Sequence, residues 1–386
     1  MDIKKTDHFD SQNNPNNEMP PANIMVAGIT GAGKSTLLNA VFGADVAETG
    51  KGRPVTSHIH EYRSDSVPIH IWDTVGLELD SAKTKESINS IRETIASKAD
   101  SKDHFDHVHA IWYCINSRSS RYQGAELEFI KSLHSIGVPF IIVLTQCIDD
   151  PEEINHFEAQ IRDINYSMGM TDIDIVQVCA QDFKLRGFTI EAFGLDNLVQ
   201  TTINKMPDFI KGSFIAAQNV SKAQKREYCG DVIVKYVDEA IAGFWDKVPI
   251  INVFTTDKKM IKMFSEIGML YNSIIPEDRI QDVIRSMGSM DIEHAVFGLI
   301  LPVNKKFDQK MDSLFRAKEE AGFSVPVEKL GHNERVARLL VRYGYLYLEG
   351  IEDLWEERNE AMLADIDYRI FKLTEKLKDK FNRKAK

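Results

Sequence analysis

The chain of 386 residues carries only four cysteines, Cys114, Cys147, Cys179 and Cys229. They stand far apart, so no disulfide framework and no zinc-type spacing can be drawn. That excludes a cysteine-stapled scaffold and points to a reducing compartment. No apolar run approaches the ~20 residues needed to span a bilayer. The opening stretch MDIKKTDHFD lacks the apolar core of a secretory signal, so a cytoplasmic location is expected. Positive charge is also in deficit, with 47 Lys and Arg against 58 Asp and Glu, a formal net charge of −11. A general polyanion binder needs the opposite balance or a strong local basic patch. No Ser/His/Asp or Cys/His nucleophile system can be assembled, and no internal repeat of fixed period is visible. What remains is ordinary globular composition, 43% hydrophobic and 27% charged, in a chain long enough for two or three domains.

Against that background one string stands out. Residues 28–36 read GITGAGKST and follow the apolar run Ile24–Ala27. The pattern Gly28-x4-Gly33-Lys34-Ser35 is a phosphate-binding loop. A strand must hand over to a helix through a turn whose backbone N–H groups point at an anion. Gly31 and Gly33 permit that turn and keep a Cβ out of the way of the phosphates, with Ala32 and Thr36 lending further main-chain N–H groups. Lys34 places a charge on the β- and γ-phosphates, Ser35 offers its hydroxyl to Mg²⁺, and the helix adds the positive end of its dipole. The alternative is a Gly-rich strand-to-helix turn with no ligand.

Further along, residues 68–73 alternate toward Asp73, and Gly76 follows three positions later. An Asp at a strand end can hold Mg²⁺ through water, and Gly76 can offer a bare N–H to the γ-phosphate. Between these motifs the loop Gly50–Val55 ends in Thr56, whose hydroxyl completes a metal shell only when a γ-phosphate is present. Such a loop is ordered by triphosphate and released after hydrolysis.

The phosphate loop, Thr56, Asp73-x-x-Gly76, Thr145-Gln146 and Cys179-Ala180 fall in the order and spacing of the Ras-like G domain. The sequence resembles the Era-, TrmE- and septin-like branch of translation-factor-class GTPases. ETGKGRPVTSHIHEY from Glu48 to Tyr62 looks like a group of bacterial Era-like GTPases with a helical C-terminal domain. The resemblance covers about residues 22–205. It implies GTP and GDP as ligands, Mg²⁺ as cofactor, and Ser35, Thr56 and Asp73 as the metal-holding residues. Several departures accompany it. In the base-reading motif, Gln146 stands where Lys is usual, Ile148 occupies the Asp position, and Asp149 lies one place late. A one-residue bulge is needed for Asp149 to reach guanine. At the fifth motif Cys179 replaces the usual Ser. After Gly76 the water-orienting Gln is replaced by Leu77, and Gly31 replaces the Asn that holds potassium in some relatives. Arg53, three residues before Thr56, is a candidate source of transition-state charge, the alternative being a solvated loop residue beside Lys51; Arg118 and Arg121 are further candidates acting across a dimer.

Residues 1–21 read as a disordered polar leader. From residue 22 to 206 strands are expected at 23–27, 58–63, 68–73, 108–116, 139–144 and 174–179. Helices are expected at 34–42, 84–99, 124–136, 151–168 and 194–205. That alternation implies an α/β fold with a mainly parallel sheet. Residues 207–386 read as an all-α domain. A wide stripe runs from Val232 to Trp245, Thr256 is a candidate cap, Pro276 starts another helix, and helical arrays follow at 303–321, 333–361 and 364–384. The last helix aligns Ile366, Ile370, Leu373, Leu377 and Phe381, and residues 372–386 hold seven Lys/Arg against two Asp/Glu. Packing on neighbouring helices is the favoured reading, with peripheral contact to anionic lipid or RNA as the lesser one. His58/His60 and His107/His109 share strand faces, but no third metal ligand accompanies them.

Three functions stay open at this point. One is a Mg²⁺-dependent GTPase that switches conformation and acts on an unidentified effector. Another is a nucleotide-loaded scaffold with negligible hydrolysis. The third is a septin-like or immunity-related-like GTPase activated by homodimerisation through the nucleotide face.

Overall fold

Strand β1 (Ala22–Gly28) is buried along its whole length, as a strand flanked by parallel neighbours and covered on both faces must be. The computed structural model describes residues 19–43, 53–56, 59–64, 67–74, 81–119, 122, 125–185, 187–242, 253–284, 327–358 and 365–384. Beside β1 lie β2 (Arg53–Thr56), β3 (Ile59–Arg63), β4 (Ile69–Thr74), β5 (Ala110–Asn116), β6 (Phe140–Thr145) and β7 (Asp174–Gln177). They form one sheet in the order β2-β3-β4-β1-β5-β6-β7. From β4 to β7 all neighbours run parallel, whereas β2–β3 and β3–β4 are antiparallel.

The strand period of two sends alternate residues of β1 to opposite faces. Met25 and Ala27 join Ile111, Tyr113, Phe129, Ile130, Ile154 and Phe157 in one core cluster. This face is covered by α2 (Ser81–Ala99), α3 (Ala125–His134) and α4 (Pro151–Ser167). On the other face Trp112 stacks on Phe42 at 5.8 Å and meets Phe214 edge-on. Its indole N–H donates to Thr202 Oγ1 (3.1 Å). Those partners come from α1 (Lys34–Phe42), α5 (Leu195–Lys205) and α6 (Asp208–Ala217). A small hairpin, β8 (Phe183–Leu185) with β9 (Phe188–Ile190), precedes α5.

The chain divides into two compact units, Met1–Gln224 and Lys225–Lys386. The sequence placed its division at 206/207. Helix α6 packs on β1 and β4 of the first unit, its Phe214 fully buried there. The second unit holds most of α7 (Lys222–Ala242), then α8 (Val253–Leu270), a helical stretch at 277–284, α9 (Val327–Glu356) and α10 (Ile366–Lys384). Thr256 was expected to cap α8, but the helix begins three positions earlier, so Thr256 lies inside its first turn. The expected array at 303–321 lies outside the described residues. On α10 the side chains of Ile370, Leu373 and Leu377 are buried, consistent with packing of that face on α9. Within this unit Phe264 and Tyr347 stack at 4.1 Å. The buried Lys225 donates to the Leu270 carbonyl (2.7 Å), and burial lowers its pKa to about 7. Among the described residues no helix is long and apolar enough to cross a membrane.

Candidate functional site

The turn after β1 is built on two left-handed glycines, Gly31 and Gly33, each at φ 80°. An L side chain is disfavoured there, which accounts for both positions in the motif. Gly33 is also the N-cap of α1, and no side chain caps that helix. The amides of the first turn are thus left for a ligand, with the helix dipole behind them. Ser35 and Thr36 are exposed in that turn.

Lys34 is 9% exposed. Its ammonium donates to the Gly28 carbonyl (3.1 Å) and lies 4.0 Å from Asp73 Oδ1. Asp73 arrives beside it because β4 pairs parallel with β1, setting Val26 opposite Asp73. Burial pushes the Asp73 carboxyl up to about 6, against the opposing pull of Lys34. Asp73 Oδ1 is a buried oxygen with no hydrogen-bond donor among the described residues. A buried, unsatisfied carboxylate oxygen beside a phosphate-type turn is a donor suited to a hard cation or its water. The residues present therefore fit Mg²⁺, with Asp73 and Ser35 on described elements to hold it. Among the described residues no group of three or more His, Cys, Asp or Glu is arranged for a metal, here or elsewhere. His107 and His109 are engaged with the carbonyls of Ser101 and His104, and His58 lies outside the described residues.

Thr145 ends β6 and is 3% exposed. Its hydroxyl lies 2.6 Å from the Ala32 carbonyl and 3.2 Å from that of Ile115. The loop after β6 is thus tied directly to the glycine turn after β1. Gln146 follows in the left-handed region at φ 54°, and its amide donates to the Gly31 carbonyl (3.0 Å). The Gln146 carbonyl accepts from Ser117 Oγ (2.9 Å) and from the Ile148 amide (2.8 Å). Asp149 pairs with Arg118 (3.1 Å) at the surface. Next to it Asp150 caps α4, accepting from the Glu152 amide (2.8 Å). Ser117, Arg118, Asp149, Glu153, Ile154 and Phe157 line a cavity of about 290 Å³.

Past β7, Cys179 is buried and exchanges two backbone hydrogen bonds, both 3.0 Å, with Phe193. Its thiol donates to the Gln181 carbonyl (3.2 Å). Ala180 follows it, half-buried.

The structure thus brings the phosphate loop, Asp73, Thr145 and Gln146 together and sets Asp149 against Arg118. The backbone of Arg53–Thr56 forms β2, paired with β3. The side chains of Arg53 and Thr56, and the whole of Gly76, Leu77 and Arg121, lie outside the described residues. Ser117 was missed in the sequence reading. Its link to Gln146 spans 29 positions, and a serine just past an apolar strand carries no local signal of it.

Residues 23–146 match the family model described as 50S ribosome-binding GTPase. No match was found among curated proteins. Many solved structures resemble the chain, among them these three. Translation elongation factor SelB from Methanococcus maripaludis, in complex with the GTP analogue GppNHp, is 18% identical with a TM-score of 0.31, over 49% of this chain and 36% of that one. Bacterial selenocysteine-specific elongation factor EF-Sec is 18% identical with a TM-score of 0.31, over 49% of this chain and 29% of that one. A probable GTP-binding protein, engB, is 16% identical with a TM-score of 0.32, over 47% of this chain and 97% of that one. The chain spans about a third of the length of the two elongation factors. The first unit carries the α/β fold of a P-loop GTPase domain, and a helical C-terminal region follows it.

Proposed function

We propose that the protein is a Mg²⁺-dependent GTPase that binds GTP, hydrolyses it to GDP and phosphate, and switches conformation between the two states. The observation that carries this reading is Lys34, nearly buried between the Gly28 carbonyl and Asp73 at the base of an uncapped helix. A lysine held there has its charge aimed where β- and γ-phosphates would lie. The amides of the phosphate loop would orient the triphosphate, and Thr145 would fix that loop against the base-side loop. Mg²⁺, when bound, would neutralise phosphate charge, held by Ser35 and Asp73 and, in the triphosphate state, by Thr56. Arg53 would supply positive charge to the γ-phosphoryl in cis, since Leu77 cannot orient water as Gln does. Kinship with the Era-, TrmE- and septin-like branch and a cytoplasmic location belong to the same reading. The matched family's description names the 50S ribosome. The net charge of −11 argues against a broad polyanion surface here, and ribosome binding is left out of the reading.

A second reading, a nucleotide-loaded scaffold, is favoured by Leu77 alone. Turnover of GTP by purified protein across a concentration series separates the possibilities. Steady turnover at constant specific activity supports the switch. Binding without turnover supports the scaffold. Specific activity rising with concentration places hydrolysis in a homodimer formed through the nucleotide face.

A further inference from the structure

We infer that Ser117 is a positioning residue for base recognition, latching the main chain of Gln146 and so setting how residues 145–149 meet the base. The inference rests on the nucleotide-site reading above and deepens it.

Gln146 is one of two non-glycine residues in the left-handed region among the described ones. That conformation is disfavoured for any residue with a Cβ, and it persists where the surroundings enforce it. Three contacts converge on it. Its side-chain amide reaches the phosphate loop at Gly31, its carbonyl accepts from the Ile148 amide, and the same carbonyl accepts from Ser117 Oγ at 2.9 Å. The first two come from within the nucleotide loops themselves. Only Ser117 reaches in from outside, from a short 3₁₀ turn (Ser117–Ser119) at the end of β5. It is 8% exposed, so its hydroxyl has little water to compete with, and the bond is worth more than a surface one.

The latch acts on one side of the site. Thr145 already ties the base-side loop to the phosphate loop through Ala32, independently of Ser117. What Ser117 constrains is the path beyond Gln146, through the tight turn to Ile148 and on to Asp149. Without its hydroxyl the left-handed residue loses one of two restraints on its carbonyl, and the following turn is free to relax. Contacts to the base then weaken while contacts to the phosphates remain. A hydroxyl that merely satisfied a buried carbonyl would instead lower stability and weaken every ligand alike.

The test is calorimetry on the full chain with Mg²⁺ and three probes: GTP, ATP and inorganic tripolyphosphate. For Ser117→Ala, GTP affinity should fall about ten-fold, the usual effect of one buried hydrogen bond, and the GTP-to-ATP ratio should fall with it. Tripolyphosphate affinity should stay within about two-fold, and Ser117→Thr should restore the wild-type ratio. If Ser117→Ala does not fold, Ser117→Cys keeps the side-chain size, weakens the donor and is read in the same way. An unchanged ratio, or equal weakening of all three probes, overturns the latch. Wild-type protein that binds neither GTP nor tripolyphosphate overturns the nucleotide site itself, and the latch with it.

Discussion

Replacing Thr145 by Val tests whether the base-side and phosphate loops form one unit. The two side chains have the same shape, so packing is kept and only the hydroxyl is lost. That hydroxyl carries one proton, and the 2.6 Å contact to the Ala32 carbonyl is its main bond, with Ile115 at 3.2 Å as the weaker partner. Thr145 is 3% exposed, so water does not readily replace it. Leaving a buried acceptor unpaired costs about 1–3 kcal/mol. For a unit of this size each kcal/mol moves the melting temperature by about 2–4 °C. A fall of about 2–12 °C is therefore expected by differential scanning fluorimetry. Calorimetry should also show weaker GTP·Mg²⁺ binding, because Ala32 lies inside the loop proposed to hold the phosphates. Thr145→Ser, which keeps the hydroxyl, should recover most of both losses. A Thr145→Val protein with unaltered melting and unaltered GTP affinity would show that this tie does not organise the site.

Gly194 sits at φ 81° where an added Cβ would lie 1.9 Å from the Gln177 carbonyl. Gly194→Ala should cost about 2–4 kcal/mol in chemical denaturation, whereas Gly137→Ala, also left-handed but in open space, should cost about 1 kcal/mol. Burial lifts the Glu126 carboxyl to about 7, against the opposing hydrogen bond from Tyr113. A carboxyl raised in the folded state gives stability that is full below its unfolded pKa and lost as pH rises through about 7. Glu126→Gln should thus flatten that loss and leave the protein about 1–3 kcal/mol more stable than wild type on the alkaline side, measured by denaturant melts across pH. Arg53→Ala should leave GTP affinity nearly intact and lower the single-turnover rate about ten-fold or more; an unchanged rate would move the role to a partner or a dimer face.

The apolar strands and the glycine-lysine turn were readable because their signals are local. A run such as Phe140–Thr145 buried on both faces and a loop that needs left-handed residues are both written in neighbouring positions. Helix α1 was expected at 34–42 and is found at Lys34–Phe42. The misses share one cause. Strand β2 has only four residues, Arg53–Thr56, too few for alternation to register, and a Pro sits within it. Hairpin β8–β9 is likewise made of three-residue strands. In the candidate site the positions of Lys34, Thr145 and Gln146 were read from local strings, while the contacts that join the loops were not. The ion pair of Asp149 with Arg118 spans 31 positions and the tie of Ser117 to Gln146 spans 29. Such pairings follow from β5 lying next to β6, which no local pattern encodes.

The central claim is that the turn at Gly28–Thr36 binds nucleotide phosphates through Lys34, and calorimetry of GTP·Mg²⁺ against wild type and Lys34→Ala tests it most directly. Charge-assisted hydrogen bonds to a phosphate are worth about 1.5–3 kcal/mol, so the variant should bind at least about ten-fold more weakly. The wild type should prefer GTP to ATP. Equal GTP affinity in the two proteins would contradict the site assignment, and equal affinity of the wild type for GTP and ATP would contradict its reading as a GTPase.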